Sequence, residues 1–251
     1  MTRIDDEQRL NRKEAEFWDR QEEAIQQLYD RPHDWRFIPA LANRIVRGRE
    51  NYTRRLIAKH RGEIGRVLDI GCGSGWCVHA CAEIGIVGVG VDVSGKKIET
   101  AQRQAVERGL ADKCTFAVAD IMELDIEAYG GKVDLLFATS SLHHLPGLGQ
   151  KLPLLVERLL RPGGYMLFCE PHFEGMAPGL QKFIWGLANG RLTRNLFDHE
   201  FFAEVTRESQ SAAEEGDADY NLRSESPAGL EFFGEEPVMA EILRKLPGCK
   251  L

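Results

Sequence analysis

Three glycines at alternate positions, Gly71, Gly73 and Gly75, close the stretch "VLDIGCGSGW" at residues 67 to 76, and Asp69 stands just before them. Glycine lets a chain turn sharply and brings backbone N–H groups close to a ligand with no Cβ in the way. A dinucleotide site needs G-x-G-x-x-G, in which the third glycine lets the next helix pack tightly on its strand. Position 76, where that glycine belongs, is tryptophan. Asp69 would also set a negative charge beside a pyrophosphate. Both departures disfavour a nicotinamide or flavin dinucleotide. An acid beside a glycine turn suits a ligand carrying a positive ammonium or sulfonium centre.

Two further acids fit the same picture. Asp92 closes the apolar run "VGVGVD", 21 residues after Gly71. That is about where a carboxylate takes the hydroxyls of a ribose in nucleotide-binding sheets, and its two oxygens can accept from both. Asp120 closes "CTFAVAD", where a carboxylate could accept from the exocyclic amine of an adenine. Histidines follow in "SSLHHL". His143 and His144 are candidates for a base at neutral pH, with loop hydrogen bonding to the backbone as the plainer alternative. His172, in "CEPHFEG", is a second candidate. Cys72, Cys77 and Cys81 lie close in sequence, but a structural zinc needs four suitably placed ligands. Cys72 sits in the glycine turn itself, Cys77 and Cys81, four apart on a helix, read as small core residues, and no metal is expected.

The elements that position these residues follow from periodicity. Short β-rich runs, "RVLDI", "VGVGVD", "CTFAVAD", "VDLLFAT" and "GYMLFCE", alternate with helical stretches over residues 66 to 170. Such near-continuous apolar strands predict an α/β fold: a doubly wound, mainly parallel sheet, Rossmann-like, with helices on both faces. Residues 1–62 have helical spacing, with Phe17, Trp18, Ile25 and Leu28 on one stripe and Leu41, Ile45, Val46, Leu56 and Ile57 on another. They are expected to form a helical cap, broken at Pro32 and Pro39. The binding core then spans 63–171. Residues 172–251 are expected to supply a substrate cover: a polar, acidic lid at 206–229 and a final helix in "EEPVMAEILRKL". Phe173, Phe183, Trp185, Phe197, Phe201 and Phe202 would line an apolar acceptor pocket or form ordinary core.

Composition narrows the class. The chain has 251 residues, 43% hydrophobic and 28% charged, with a formal net charge of −7. That acidity argues against a nucleic-acid substrate. No run is apolar enough to span a bilayer. The charged N-terminus has no apolar signal region, and six cysteines read as reduced thiols, so a cytoplasmic setting is expected. From Arg44 to Arg61 seven basic residues face Glu50 alone, and from Asp198 to Glu241 thirteen acids face two arginines. These are two solvated faces, or the basic stretch meets an anionic group on the substrate.

Over residues 66 to 170 the chain resembles the class I S-adenosylmethionine-dependent methyltransferases, particularly their small-molecule group of the UbiE and type 11/12 kind. "VLDIGCGSG" is similar to the family's first motif, "VGVDVS" to its second and "ADIMEL" to the adenine-contact motif. "VDLLFATSSLHHL" resembles the fourth, and "LLRPGGYMLFCEP" the segment into the fifth strand. The resemblance implies that Gly71, Gly73 and Gly75 line the methionine portion of S-adenosylmethionine, with Asp69 shaping the loop. It implies that Asp92 holds the ribose and that Asp120 and Ile121 contact the adenine. Ala138 or Thr139 would contact the methionine ammonium. Trp76 would cap a helix start beside the cofactor, or simply pack that helix.

The implied activity is methyl transfer to a hydroxyl, amine or carbon of a small molecule, with S-adenosylhomocysteine as product. The alternatives are a non-catalytic subunit that keeps the fold for binding, and a nicotinamide-dependent oxidoreductase, which Trp76 and Asp69 disfavour. No Asn/Asp-Pro-Pro-aromatic sequence follows the fourth strand, which counts against the family members that modify nucleic-acid adenines or glutamine amides. The family's sheet ends in two further strands, whereas "LPGCKL" falls where the sixth would begin. The chain is a piece of a longer one, the fold closes with fewer strands, or the acidic tail takes their place.

Overall fold

The computed structural model describes residues 3–29, 40–145, 147–170, 243–244 and 246. Its centre is a five-stranded sheet in the order β3-β2-β1-β4-β5, parallel at every described pair. The strands are β1 (Arg66–Ile70), β2 (Val87–Asp92), β3 (Cys114–Val118), β4 (Val133–Thr139) and β5 (Leu160–Cys169). The helices are α1 (Arg3–Tyr29), α2 (Ala40–Lys59), α3 (Trp76–Glu83), α4 (Gly95–Glu107) and α5 (Leu148–Leu159). The strand order reverses between β1 and β4, and a ligand crevice opens beyond the carboxyl ends at such a switch.

Both faces of the sheet are apolar because successive side chains alternate between them. Leu68, Ile70, Leu136 and Ala138 point to the side where α5 lays down Leu148, Leu152, Leu155 and Leu159. Val67, Leu135 and Phe137 point to the other, against Cys77 and Cys81 of α3 and Ile57 of α2. Beside them Ile98, Ala101 and Ala105 of α4 pack on Val78 and Phe116. Every one of these residues is nearly inaccessible to solvent. The sequence thus predicts the winding correctly, and two of the suspected metal-site cysteines are core, as expected.

α1 docks on α4 through buried polar contacts. Asp19 Oδ1 accepts from Ser94 Oγ (2.6 Å) and from the Lys96 N–H (3.0 Å), and Thr100 Oγ1 donates to Glu22 Oε1 (3.0 Å). An aspartate at the start of α4 also complements that helix's dipole. α2 is held along α3 by Arg54 Nη1 donating to Glu83 Oε2 (3.0 Å). Two expectations need adjustment. β3 stops at Val118, so Asp120 lies two residues beyond the strand, because its Oδ1 takes the Met122 N–H (2.8 Å) and turns the chain. β5 begins at Leu160, four residues earlier than predicted, with an irregular register against β4 between Val133 and Leu135. Pro32, Pro39, the acidic lid at 206–229, the aromatic group from Phe173 to Phe202, His172 and most of the final helix lie outside the described residues.

Candidate functional site

The glycine turn is built by backbone geometry. Gly71, Gly73 and Gly75 all have positive φ, at 66°, 52° and 81°. A Cβ on Gly71 would fall 2.4 Å from Ser141 Cβ, where Ser141 Oγ donates to the Ile70 carbonyl (2.6 Å) and ties the β4 loop to β1. A Cβ on Gly73 would meet nothing nearer than Lys97 Cδ at 4.0 Å. Gly73 is therefore the open member of the turn, and its N–H donates to Asp92 Oδ2 (2.8 Å). Asp92 Oδ1 takes the Ser94 N–H (2.9 Å), so one carboxylate fixes both the glycine turn and the start of α4.

Beyond the strand ends lies a cavity of about 640 Å³, within the range that holds a small organic ligand. Its wall contains Asp69, Gly71, Gly73, Asp92, Asp120, Ile121, Thr139, His143 and His144. Nine of the eleven residues singled out in the sequence thus meet in one place. Gly75 and Ala138 do not line it. Ala138 is fully buried in the core, one residue short of the wall. Gly75 is pressed instead against Phe116 and Ala101, where a Cβ would come within 2.7 and 3.0 Å. It supplies the close helix packing that a third dinucleotide glycine would give, one position earlier. Trp76 can then be large: it stands edge-on to Phe137 (5.6 Å between ring centres) and also lines the cavity.

Two polar atoms on this wall, Asp69 Oδ2 and Thr139 Oγ1, are shielded from solvent without a hydrogen-bond partner, and so is Arg49 Nε. Buried polar atoms without partners are costly, and a bound ligand commonly satisfies them. Burial, with the nearby Asp92 charge, pushes the Asp69 carboxyl well above the usual carboxylate range. A cation placed beside Asp69 would favour its ionised form.

The histidines form the opposite wall. His143 Nδ1 lies 2.7 Å from Glu170 Oε2, and Glu170 Oε1 accepts the N–H groups of Ser141 (3.1 Å) and Leu142 (3.0 Å). A carboxylate only accepts, so Nδ1 carries the proton. The His144 ring lies 4.0 Å from that of His143, edge-on to Trp18 at 5.4 Å. Burial pushes His144 down to about 3, with the His143 and Lys97 charges adding to the effect, so it is neutral near pH 7.

Several residues at the site escaped the sequence reading. Glu170, which pairs with His143 from behind the cavity wall, follows the last residue of β5, and an acid at a strand end was its signal. Lys97 sits in the first turn of α4, the positive end of a helix, where a cation is unfavourable by itself. Its Nζ lies 3.9 Å over the Trp18 ring, and burial lowers its pKa while Asp92 and Glu22 oppose the shift. α1 adds Asn11, Glu14, Trp18 and Glu22. Asn11 Nδ2 donates to Asp120 Oδ2 (2.5 Å), and Trp18 Nε1 donates to Glu14 Oε2 (2.8 Å). No local pattern within α1 reveals these contacts, which exist only through its docking.

This fold and this cavity agree with comparison to known proteins. A family model described as a methyltransferase domain matches residues 63–224, more than half of the chain. The chain belongs to that methyltransferase domain family. The 27-O-demethylrifamycin SV methyltransferase of Amycolatopsis mediterranei (strain S699) is 34% identical over 100 residues, 39% of this chain and 36% of that protein. The ubiquinone biosynthesis O-methyltransferase of Actinobacillus pleuropneumoniae serotype 5b (strain L20) is 30% identical over 116 residues, 44% of this chain and 47% of that protein. The matched part thus spans less than half the length of these curated relatives. Among solved structures, a SAM-dependent methyltransferase from Thiobacillus denitrificans in complex with S-adenosyl-L-homocysteine is 27% identical. It covers 62% of this chain and 61% of that one, with a TM-score of 0.44. Among the described residues no helix is long and apolar enough to cross a membrane, and no group of three or more metal-binding side chains is assembled.

Proposed function

We propose that this chain binds S-adenosylmethionine in the strand-end cavity and directs its methyl group to a small-molecule acceptor. The observation that carries this reading is the juxtaposition in one cavity of a glycine turn braced by Asp92 and of His143, which Glu170 holds from behind. The cofactor, when bound, supplies a methyl group on a positively charged sulfur.

The chain's own residues do the rest. Asp92 holds the ribose hydroxyls with the lone pairs its two backbone bonds leave over. Asp120 and Ile121 receive the adenine. Asp69 and Thr139 take the methionine ammonium, where their unpartnered oxygens lie. Asp69 fits a cation because the charge would relieve its buried carboxyl. Within residues 1–62, α1 and α2 roof the cofactor.

A hydroxyl acceptor must lose its proton as the new bond forms. His143 takes that proton at Nε2 while Glu170, held by two backbone N–H groups, steadies the positive charge that develops on the ring. His144 stays neutral and adds no opposing charge beside it. The protein otherwise works by alignment and by excluding water from the donor–acceptor line. Among the described residues the thiols of Cys72, Cys77, Cys81, Cys114 and Cys169 are free, which suits a reducing, cytoplasmic place of work.

The test is turnover. Purified chain incubated with S-adenosylmethionine and a panel of small hydroxyl and amine acceptors should release S-adenosylhomocysteine with at least one of them. Hydroxyl acceptors should depend on His143. Turnover undiminished by loss of His143 would remove it as the base.

A further inference from the structure

The segment after β3 brings Asp120 and Ile121 to the cavity wall, yet it lies in no strand or helix. Few backbone bonds fix it. The Ala119 N–H donates to the Asp92 carbonyl (3.0 Å), and the Glu123 N–H donates to the Asp120 carbonyl (3.0 Å). The Asp120 side chain closes the turn: Oδ1 takes the Met122 N–H (2.8 Å), and Oδ2 takes Asn11 Nδ2 from α1 (2.5 Å). No backbone N–H among the described residues reaches the Ile121 or Met122 carbonyl. Both need a donor.

Arg158 supplies it from behind the wall. It stands in the last turn of α5, where a cation complements the helix dipole. Its Nη1 donates to the Met122 carbonyl (2.5 Å) and its Nη2 to the Ile121 carbonyl. The planar fork thus spans two successive peptide groups, which an ammonium cannot match in one rigid geometry. Leu155 and Leu159 of α5 share a core cluster with Leu124 and Ile126, so the anchor itself is packed in place.

The Ile121 carbonyl and the Met122 N–H are two ends of one planar peptide group. Arg158 grips one end, and Asp120 Oδ1 accepts from the other. A donor on the carbonyl polarises the N–H and strengthens the bond it makes. The orientation of the Asp120 carboxylate is therefore set through that peptide by a side chain 38 positions away.

We propose that Arg158 is a positioning residue for base recognition. It aims the Asp120 carboxylate at the amine of a 6-amino purine, so that the cavity prefers an adenine nucleoside to its 6-oxo counterpart. A 6-oxo purine presents an acceptor to the carboxylate, and two acceptors cannot pair. The assignment rests on the S-adenosylmethionine reading.

The experiment titrates S-adenosylhomocysteine and S-inosylhomocysteine, its 6-oxo counterpart, onto the full chain, Arg158→Lys and Arg158→Met. Wild type should prefer the amino form by about tenfold or more. Arg158→Met should lose most of that preference through weaker S-adenosylhomocysteine binding, with S-inosylhomocysteine affinity little changed. Arg158→Lys, which keeps the charge without the fork, should fall between them, and it carries the test if Arg158→Met does not fold. Equal weakening of both ligands with the preference intact would show a structural role alone and overturn the proposal. No preference in wild type would overturn it too. Failure of wild type to bind either ligand would sink the methyl-transfer reading instead, and amide hydrogen exchange without ligand then decides whether Arg158 holds the turn. Faster exchange of the Met122 N–H in Arg158→Lys, with β1 and β4 unchanged, supports that grip. Unchanged exchange at Met122 overturns it.

Discussion

Glu170 divides its carboxylate between two tasks: Oε2 lies 2.7 Å from His143 Nδ1, and Oε1 receives the N–H groups of Ser141 and Leu142. The backbone of the β4 loop and the histidine it carries are therefore positioned by one side chain from the end of β5. That arrangement fixes the tautomer of His143 and separates it from its neighbour His144, which burial keeps neutral.

For a hydroxyl acceptor, His143→Ala should lower kcat by about 10²–10⁴-fold, the usual contribution of a positioned base. S-adenosylhomocysteine affinity should be retained. Glu170→Gln should lower kcat less, because the imidazolium that forms loses its carboxylate while Nδ1 keeps a hydrogen-bond partner. Steady-state kinetics reads both, and an unchanged kcat in Glu170→Gln would remove Glu170 from this role.

His144 gives a stability prediction with a definite sign. Its ordinary value of 6.5 falls to about 3 in the folded chain. The unfolded chain takes up a proton that the folded one refuses, so the stability this contributes is present above pH 6.5. It is lost as pH falls toward 3, at up to about 1.4 kcal/mol per pH unit. Urea unfolding at pH 6.5 and 5.5 should show His144→Gln losing about 1 kcal/mol less than wild type over that step. Equal losses would contradict the buried, neutral ring.

The glycine turn predicts two different failures. Gly75→Ala combines a left-handed φ with contacts under 3 Å to Phe116, and should destabilise the fold by about 2–5 kcal/mol. Gly73→Ala has open space at its Cβ and should cost only the left-handed strain, about 1–2 kcal/mol. It should nonetheless weaken S-adenosylhomocysteine several-fold, because the added methyl enters the cavity. Denaturant titrations and ligand titrations of the two variants separate these outcomes.

The winding of the sheet was legible because each strand is a short apolar run that ends on a turn residue, an acid or a polar loop. Asp69, Asp92 and Asp120 were legible as a set for the same reason, since parallel strands deliver their ends to one edge. Gly75 and Ala138 do not line the cavity, whereas Thr139, the alternative to Ala138, does. The sequence shows which residues follow a strand but not which way each one faces once the turn is made. Asn11, Trp18 and Arg49 were illegible as site residues. They reach the cavity through the docking of α1 and α2, which depends on contacts such as Asp19 with Ser94 across 75 positions of chain. Amphipathic spacing predicts that a helix packs and does not predict where.

The central claim is that the strand-end cavity holds S-adenosylmethionine through Asp92. Calorimetric titration with S-adenosylhomocysteine tests it most directly, on wild type and on Asp92→Ala. The account predicts micromolar binding, about −8 kcal/mol, for the wild-type chain. It predicts a loss of about 1.5–3 kcal/mol in the variant, the cost of removing hydrogen bonds to a charged acceptor. No binding by the wild-type chain, or an unchanged affinity in Asp92→Ala, would contradict it.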